Sequence, residues 1–156
     1  MFPSTFVPNN RRSVTRAPRT GITLKMTRPE NVPSANPTIL LVDDDAAVRE
    51  SLERVLANEG WRVISAANGA EALEHLSETK PALMITDLCM PDVNGWDMLF
   101  YESMNRPDLP IFVISGLPPR ETGGADHFAA EFFPKPLDLD ALLLAVRRNL
   151  GAAHGD

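Results

Sequence analysis

The chain has 156 residues, enough for one domain with its own core, and its 44% apolar and 23% charged content is that of an ordinary globular protein. No apolar run is long enough to cross a bilayer, and a single cysteine, Cys89, excludes an internal disulfide and makes a reducing cytoplasm the expected compartment. Residues 1–37 carry six basic side chains against Glu30 alone, whereas residues 38–156 carry nine basic and twenty acidic ones, a net of −11 that argues against direct binding of nucleic acid by the body of the chain.

Residues 1–37 read as a disordered basic leader. Pro3, Pro8, Pro18, Pro29, Pro33 and Pro37 interrupt any helix, and Ser, Thr, Asn and Arg fill the gaps. The segment lacks the apolar stretch of a secretory signal; its Arg- and Ser-rich composition overlaps with organelle transit peptides, and Met26 is an alternative start.

From Thr38 the pattern changes to alternating strand and helix. Thr38–Val42 is a buried strand, and Asp45 caps a helix from Ala46 whose Val48, Leu52, Val55 and Leu56 share one face. Gly60 stands where a left-handed helix cap belongs. Trp61–Ala66 is a shorter strand, Asn68-Gly69 opens a helix with Ala72, Leu73 and Leu76 inward, and Ala82–Thr86 is a third strand after Pro81. After the loop Leu88–Asn94, a helix from Gly95 to Met104 turns Met98, Leu99 and Tyr101 to the sheet. Ile111–Ile114 is the fourth strand. Gly116–Glu131, with Pro118, Pro119, Gly123 and Gly124, has room only for a short or frayed helix. Phe132-Phe133 is a brief fifth strand. Leu137–Leu150 is a final helix with Leu139, Leu142, Leu143, Val146 and Leu150 inward, and 151–156 form a flexible end. Five β/α units with right-handed crossovers give an α/β domain over 38–150.

The chemistry lies just past the strands. Asp43-Asp44-Asp45, Asp87, Ser115 and Lys135-Pro136 each follow a strand-like apolar run, so an open parallel sheet gathers them in one crevice. Crowded carboxylates repel one another and call for a cation, and Mg²⁺ suits a few carboxylates with water and phosphate oxygens. Taken singly, Asp43–Asp45 are also a helix-capping cluster, Asp87 a turn residue, Ser115 a backbone partner, Lys135 a surface lysine and Phe132 plain core. His75, His127 and His154 have no ligand spacing and read as surface residues.

The strings Ile39–Asp45, Asp87–Gly95, Ile114-Ser115-Gly116 and Pro134-Lys135-Pro136, in this order, resemble the receiver domain of two-component response regulators, of the stand-alone chemotaxis kind. The resemblance implies a flavodoxin-like doubly wound five-stranded parallel sheet of order 2-1-3-4-5. It implies Asp87 as phosphoacceptor and Asp43, Asp44, Asp87 and the backbone carbonyl of Cys89 as Mg²⁺ ligands. It implies that Lys135 pairs with Asp87 and the phosphoryl group, that a cis peptide bond precedes Pro136, and that Ser115 and Phe132 form a switch. The implied partner is a sensor histidine kinase or histidine phosphotransfer protein.

Two departures from the family pattern stand out. Leu117 and Cys89 occupy places where polar side chains help water attack the acyl phosphate, so a long-lived phosphoryl group is expected. The irregular Gly116–Glu131 segment remodels the face of the fourth helix, fifth strand and fifth helix, and shifts partner contacts to the first or last helix. The leading expectation is a single-domain response regulator that is not an enzyme beyond its own phosphoryl transfer. It signals through an unknown downstream protein or a relay, with no membrane partner. A phosphorylation-independent scaffold and a Mg²⁺-dependent aspartyl phosphohydrolase are the other readings; the latter wants a second acid beside the nucleophile, which Asp87-Leu88-Cys89 does not supply.

Overall fold

The computed structural model describes residues 36–88, 95–122, 124 and 127–151. The elements run β1 (Thr38–Val42), α1 (Ala46–Asn58), β2 (Arg62–Ala66), α2 (Gly69–Glu78), β3 (Leu83–Asp87), α3 (Gly95–Asn105), β4 (Ile111–Ser115), a 3₁₀ turn (Pro119–Glu121), β5 (Glu131–Pro134) and α4 (Leu139–Leu150). The strands form one five-stranded sheet of order β2-β1-β3-β4-β5, and every pairing is parallel. This is the flavodoxin-like doubly wound arrangement.

Strand alternation divides the core. Ile39, Leu41, Leu83, Ile85, Phe112, Ile114 and Phe133 face α1 and α4, where they meet Leu52, Leu56, Leu142 and Val146. Leu40, Val42, Met84, Ile111 and Val113 face α2 and α3, where they meet Ala72, Leu76, Met98 and Leu99. Strands covered on both sides read as continuous apolar runs, which is why the sequence displays them so clearly.

Several boundaries differ from the sequence reading. Asn36 and Pro37 join the domain: the Asn36 side chain donates to the Gly60 carbonyl at 2.6 Å, and the Pro37 carbonyl accepts from Arg62 N–H at 3.2 Å. The rest of the leader lies outside the described residues, as do 152–156. Trp61 is buried just before β2 rather than in it. The last helix begins at Leu139, because the Asp138 side chain accepts from Ala141 N–H and fixes the N-cap there. Gly60 has φ +102°, a conformation that costs glycine little.

Tyr101 does not face the sheet; it is 53% exposed, and Glu102, only 1% exposed, takes the interior place. At about 100° per residue, Glu102 falls between Met98 and Leu99 on the helix wheel, whereas Tyr101 lies about 100° from the centre of that face. The Glu102 carboxylate is 3.2 Å from Arg106 Nε, an ion pair without hydrogen-bond alignment, so its Oε2 has no hydrogen-bond partner among the described residues. Burial pushes the Glu102 pKa up, and the Arg106 charge only partly offsets this. Arg106 Nη2 also donates to the Leu76 carbonyl, tying α3 to the end of α2. Val48, expected on the inner face of α1, is 37% exposed at its first turn.

Between β4 and β5 the described residues contain the 3₁₀ turn at Pro119–Glu121 and no α-helix. Phe128 from this connection packs edge-on against Phe100 of α3, with ring centroids 5.8 Å apart. No described helix is long and apolar enough to cross a membrane.

Candidate acidic phosphoryl site at the strand tips

The site grows from the carboxyl ends of β1, β3, β4 and β5. Asp43 is the first residue past β1; its N–H still reaches the Ala66 carbonyl of β2 at 3.1 Å, so the backbone is held while the side chain turns into the crevice. Asp87 is the last residue of β3, aligned with Ile114 of β4, which places Ser115 one residue further along the neighbouring strand. Asp43 and Asp87 are buried and Asp44 is exposed, and the three offer carboxylate oxygens lying within 4.8 Å of one another. Asp45 stands apart, accepting from Ala47 and Val48 N–H as the N-cap of α1.

Lys135 enters from the end of β5. Its Nζ donates to Asp87 Oδ2 at 2.9 Å, and its backbone N–H donates to the Ser115 carbonyl at 2.9 Å. The Lys135–Pro136 peptide bond is cis. Burial opposes the Lys135 charge, but the hydrogen bond and charge of Asp87, followed by Asp43 and Asp44, outweigh it and hold the pKa above the ordinary lysine value. Burial likewise raises the pKa of Asp43; the Asp45 N–H, 2.9 Å from Asp43 Oδ1, pulls it back, and the Asp87 and Asp44 charges push it further up. Among the described residues, three carboxylates against one ammonium leave the crevice in deficit of positive charge. Hard oxygen donors so placed fit Mg²⁺.

Ser115 is fully buried, and its Oγ accepts from Leu117 N–H at 3.0 Å, which leaves the hydroxyl proton to donate. Phe132 is half-buried on β5 beside Val113, on the α2/α3 side of the sheet. The structure thus brings Asp43, Asp44, Asp87 and Lys135 together directly and sets Ser115 on the adjoining strand. Cys89 and the remainder of loop 89–94 lie outside the described residues, and so does His154. His75 is half-buried on α2 and His127 exposed, and the one described cluster with metal-ligating spacing contains no histidine.

Two contacts were not legible in the sequence. Thr86, fully buried, donates its hydroxyl to the Asp87 carbonyl at 3.0 Å. Arg49 Nη1 donates to the Asp43 carbonyl at 2.7 Å. Threonine in a strand and arginine on a helix are too common for their types to flag either role.

The family model of the response regulator receiver domain matches residues 39–147. The chain belongs to the response-regulator receiver family. This receiver domain is 38% identical over 120 residues to the response regulator MprA of Mycobacterium leprae, covering 76% of this chain and 53% of that protein. The chain spans about half the length of the curated relatives it matches. Among solved structures, a response regulator receiver protein from Pseudomonas putida superposes with a TM-score of 0.70 at 34% identity, covering 74% of this chain and 99% of that one. The response regulator TrrA of Thermotoga maritima, solved in complex with Mg(2+)-BeF, superposes with a TM-score of 0.68 at 28% identity, covering 73% of this receiver chain and 99% of its own.

Proposed function

We propose that Asp87 of this receiver domain accepts a phosphoryl group from a phosphohistidine on a sensor kinase or histidine phosphotransfer protein. The observation that carries the reading is the convergence of Asp43, Asp44 and Asp87 within 4.8 Å, with the Lys135 ammonium 2.9 Å from Asp87. An Asp87 carboxylate oxygen attacks phosphorus, the O–P bond forms as the N–P bond of the donor breaks, and the imidazole leaves with the electron pair. Asp43, Asp44 and Asp87, with the carbonyl of Cys89 that the family resemblance adds, would hold Mg²⁺, which when bound neutralises charge on the phosphoryl oxygens.

Lys135 fixes the Asp87 side chain before reaction and then offers its point charge to a phosphoryl oxygen. Ser115 donates its hydroxyl proton to the same group, giving up the Leu117 contact as it turns. Phe132 on the adjacent strand follows that movement and changes the surface a partner reads. The protein acts as a switch rather than a turnover enzyme, and its output runs through protein binding or onward phosphoryl transfer. The curated relatives are about twice as long as the matched region, so the reading is confined to the receiver domain.

Intact mass after incubation with acetyl phosphate and Mg²⁺ tests the proposal. The native chain gains one phosphoryl group, and Asp87→Asn gains none. Equal labelling of both, or of neither, sinks it.

A further inference from the structure

The end of β1 carries a group that the phosphoryl chemistry leaves unused. The last β1 position paired with both neighbouring strands is Val42, so the Asp43 carbonyl lies beyond those pairings. Its partner is the half-buried guanidinium of Arg49, in the first turn of α1, which donates through Nη1 at 2.7 Å. Among the described residues Arg49 forms no ion pair, although Glu50 and Glu53 share its helix. A guanidinium that passes over carboxylates to hold a neutral carbonyl is placed by geometry rather than by charge.

The contact completes a frame around Asp43. Its N–H is held by Ala66, its carboxylate Oδ1 by Asp45 N–H, and its carbonyl by Arg49, while Asp45 in turn caps the helix that carries Arg49. With both ends of the residue fixed, neither Asp43 nor the peptide leading into Asp44 rotates freely.

We infer that Arg49 is a positioning residue for the acidic crevice, setting the Asp43–Asp44 peptide so that both carboxylates meet the same divalent cation. The inference rests on the Mg²⁺-assisted phosphoacceptor reading above. Groups that orient metal ligands without touching the metal typically change affinity by about 10- to 100-fold when removed.

The test is a calorimetric titration of Mg²⁺ into the native protein, Arg49→Met and Arg49→Lys, with no phosphodonor present. Arg49→Met keeps an unbranched apolar stem without a donor and weakens Mg²⁺ binding about tenfold. Arg49→Lys keeps a donor and stays within about threefold of the native protein. Melting in EDTA, recorded alongside, checks that both variants fold. Arg49→Met that melts lower yet binds Mg²⁺ as the native protein does overturns the inference and leaves the phosphoacceptor reading standing. A native protein that shows no saturable Mg²⁺ binding overturns that reading and the role of Arg49 with it.

Discussion

Asp43→Asn separates the electrostatic strain of the crevice from its structural role. Asn keeps an acceptor for the Asp45 N–H and removes a charge that is buried with Asp87. Two unit charges 4.8 Å apart repel by roughly 3.5 kcal/mol at an effective dielectric of 20. The exposed Asp44 adds less, and the attraction of Lys135 offsets part of the total. The net expectation is that Asp43→Asn stabilises the Mg²⁺-free protein by about 1–2 kcal/mol, or about 3–8 °C in melting temperature. Because the folded-state pKa of Asp43 lies above 3.8, the folded protein holds that proton more tightly than the unfolded chain. The native protein therefore loses stability as pH rises from 3.8 through the folded value, and the variant's advantage is full above that value and gone below 3.8. Saturating Mg²⁺ reverses the order, since a ligand at 100 times its Kd adds about 2.7 kcal/mol to the native fold and less to the variant. Thermal melts in EDTA between pH 3 and 8, and in Mg²⁺ at pH 7.5, read all three effects. A variant that melts below the native protein in EDTA at pH 7.5 refutes the reasoning.

Phosphorylated protein in Mg²⁺ alone keeps its phosphoryl group for hours, because Leu117 and Cys89 give water no polar guide; mass spectrometry over time checks this, and loss within minutes contradicts it. Arg106→Met strips the buried Glu102 of its counter-charge and costs about 3 kcal/mol in urea melts at pH 8. The cost shrinks towards pH 5, because an already raised Glu102 pKa rises further and protonation removes the unpaired charge; equal losses at both pH values would count against this account. Trp61→Phe costs under about 1.5 kcal/mol although Trp61 is only 3% exposed, since its buried indole N–H has no hydrogen-bond partner among the described residues and phenylalanine removes that orphan. Phe112→Ala, at a fully buried ring packed 5.5 Å from Phe133, costs about 4 kcal/mol by the same melts.

The five strands and the crevice were legible because buried parallel strands leave a simple trace, an apolar run closed by a polar residue, whereas the strand order came from the family resemblance. The Asp45, Asn68 and Asp138 caps shaped the helices in the same local way, although the sequence reading overran the last helix by two residues for want of weighing Asp138. Helix periodicity failed at Glu102, where an acid at an inward position reads as a solvated one and only the ion pair with Arg106 makes the burial tolerable. The Arg49 contact was invisible for a related reason: a hydrogen bond to a backbone carbonyl leaves no mark on the residue that accepts it. The weak helix signal over Gly116–Glu131 agrees with the described residues of that segment, which hold a 3₁₀ turn at Pro119–Glu121 and no α-helix; Pro118 and Pro119 lack the backbone donors a longer helix would need.

Lys135 grips two strands with different atoms, β3 through its ammonium and β4 through its amide, while belonging to the end of β5. The ammonium that meets Asp87 thus springs from a peptide pinned to Ser115. One residue therefore joins three neighbouring strands at their tips, a yoke across that edge of the sheet.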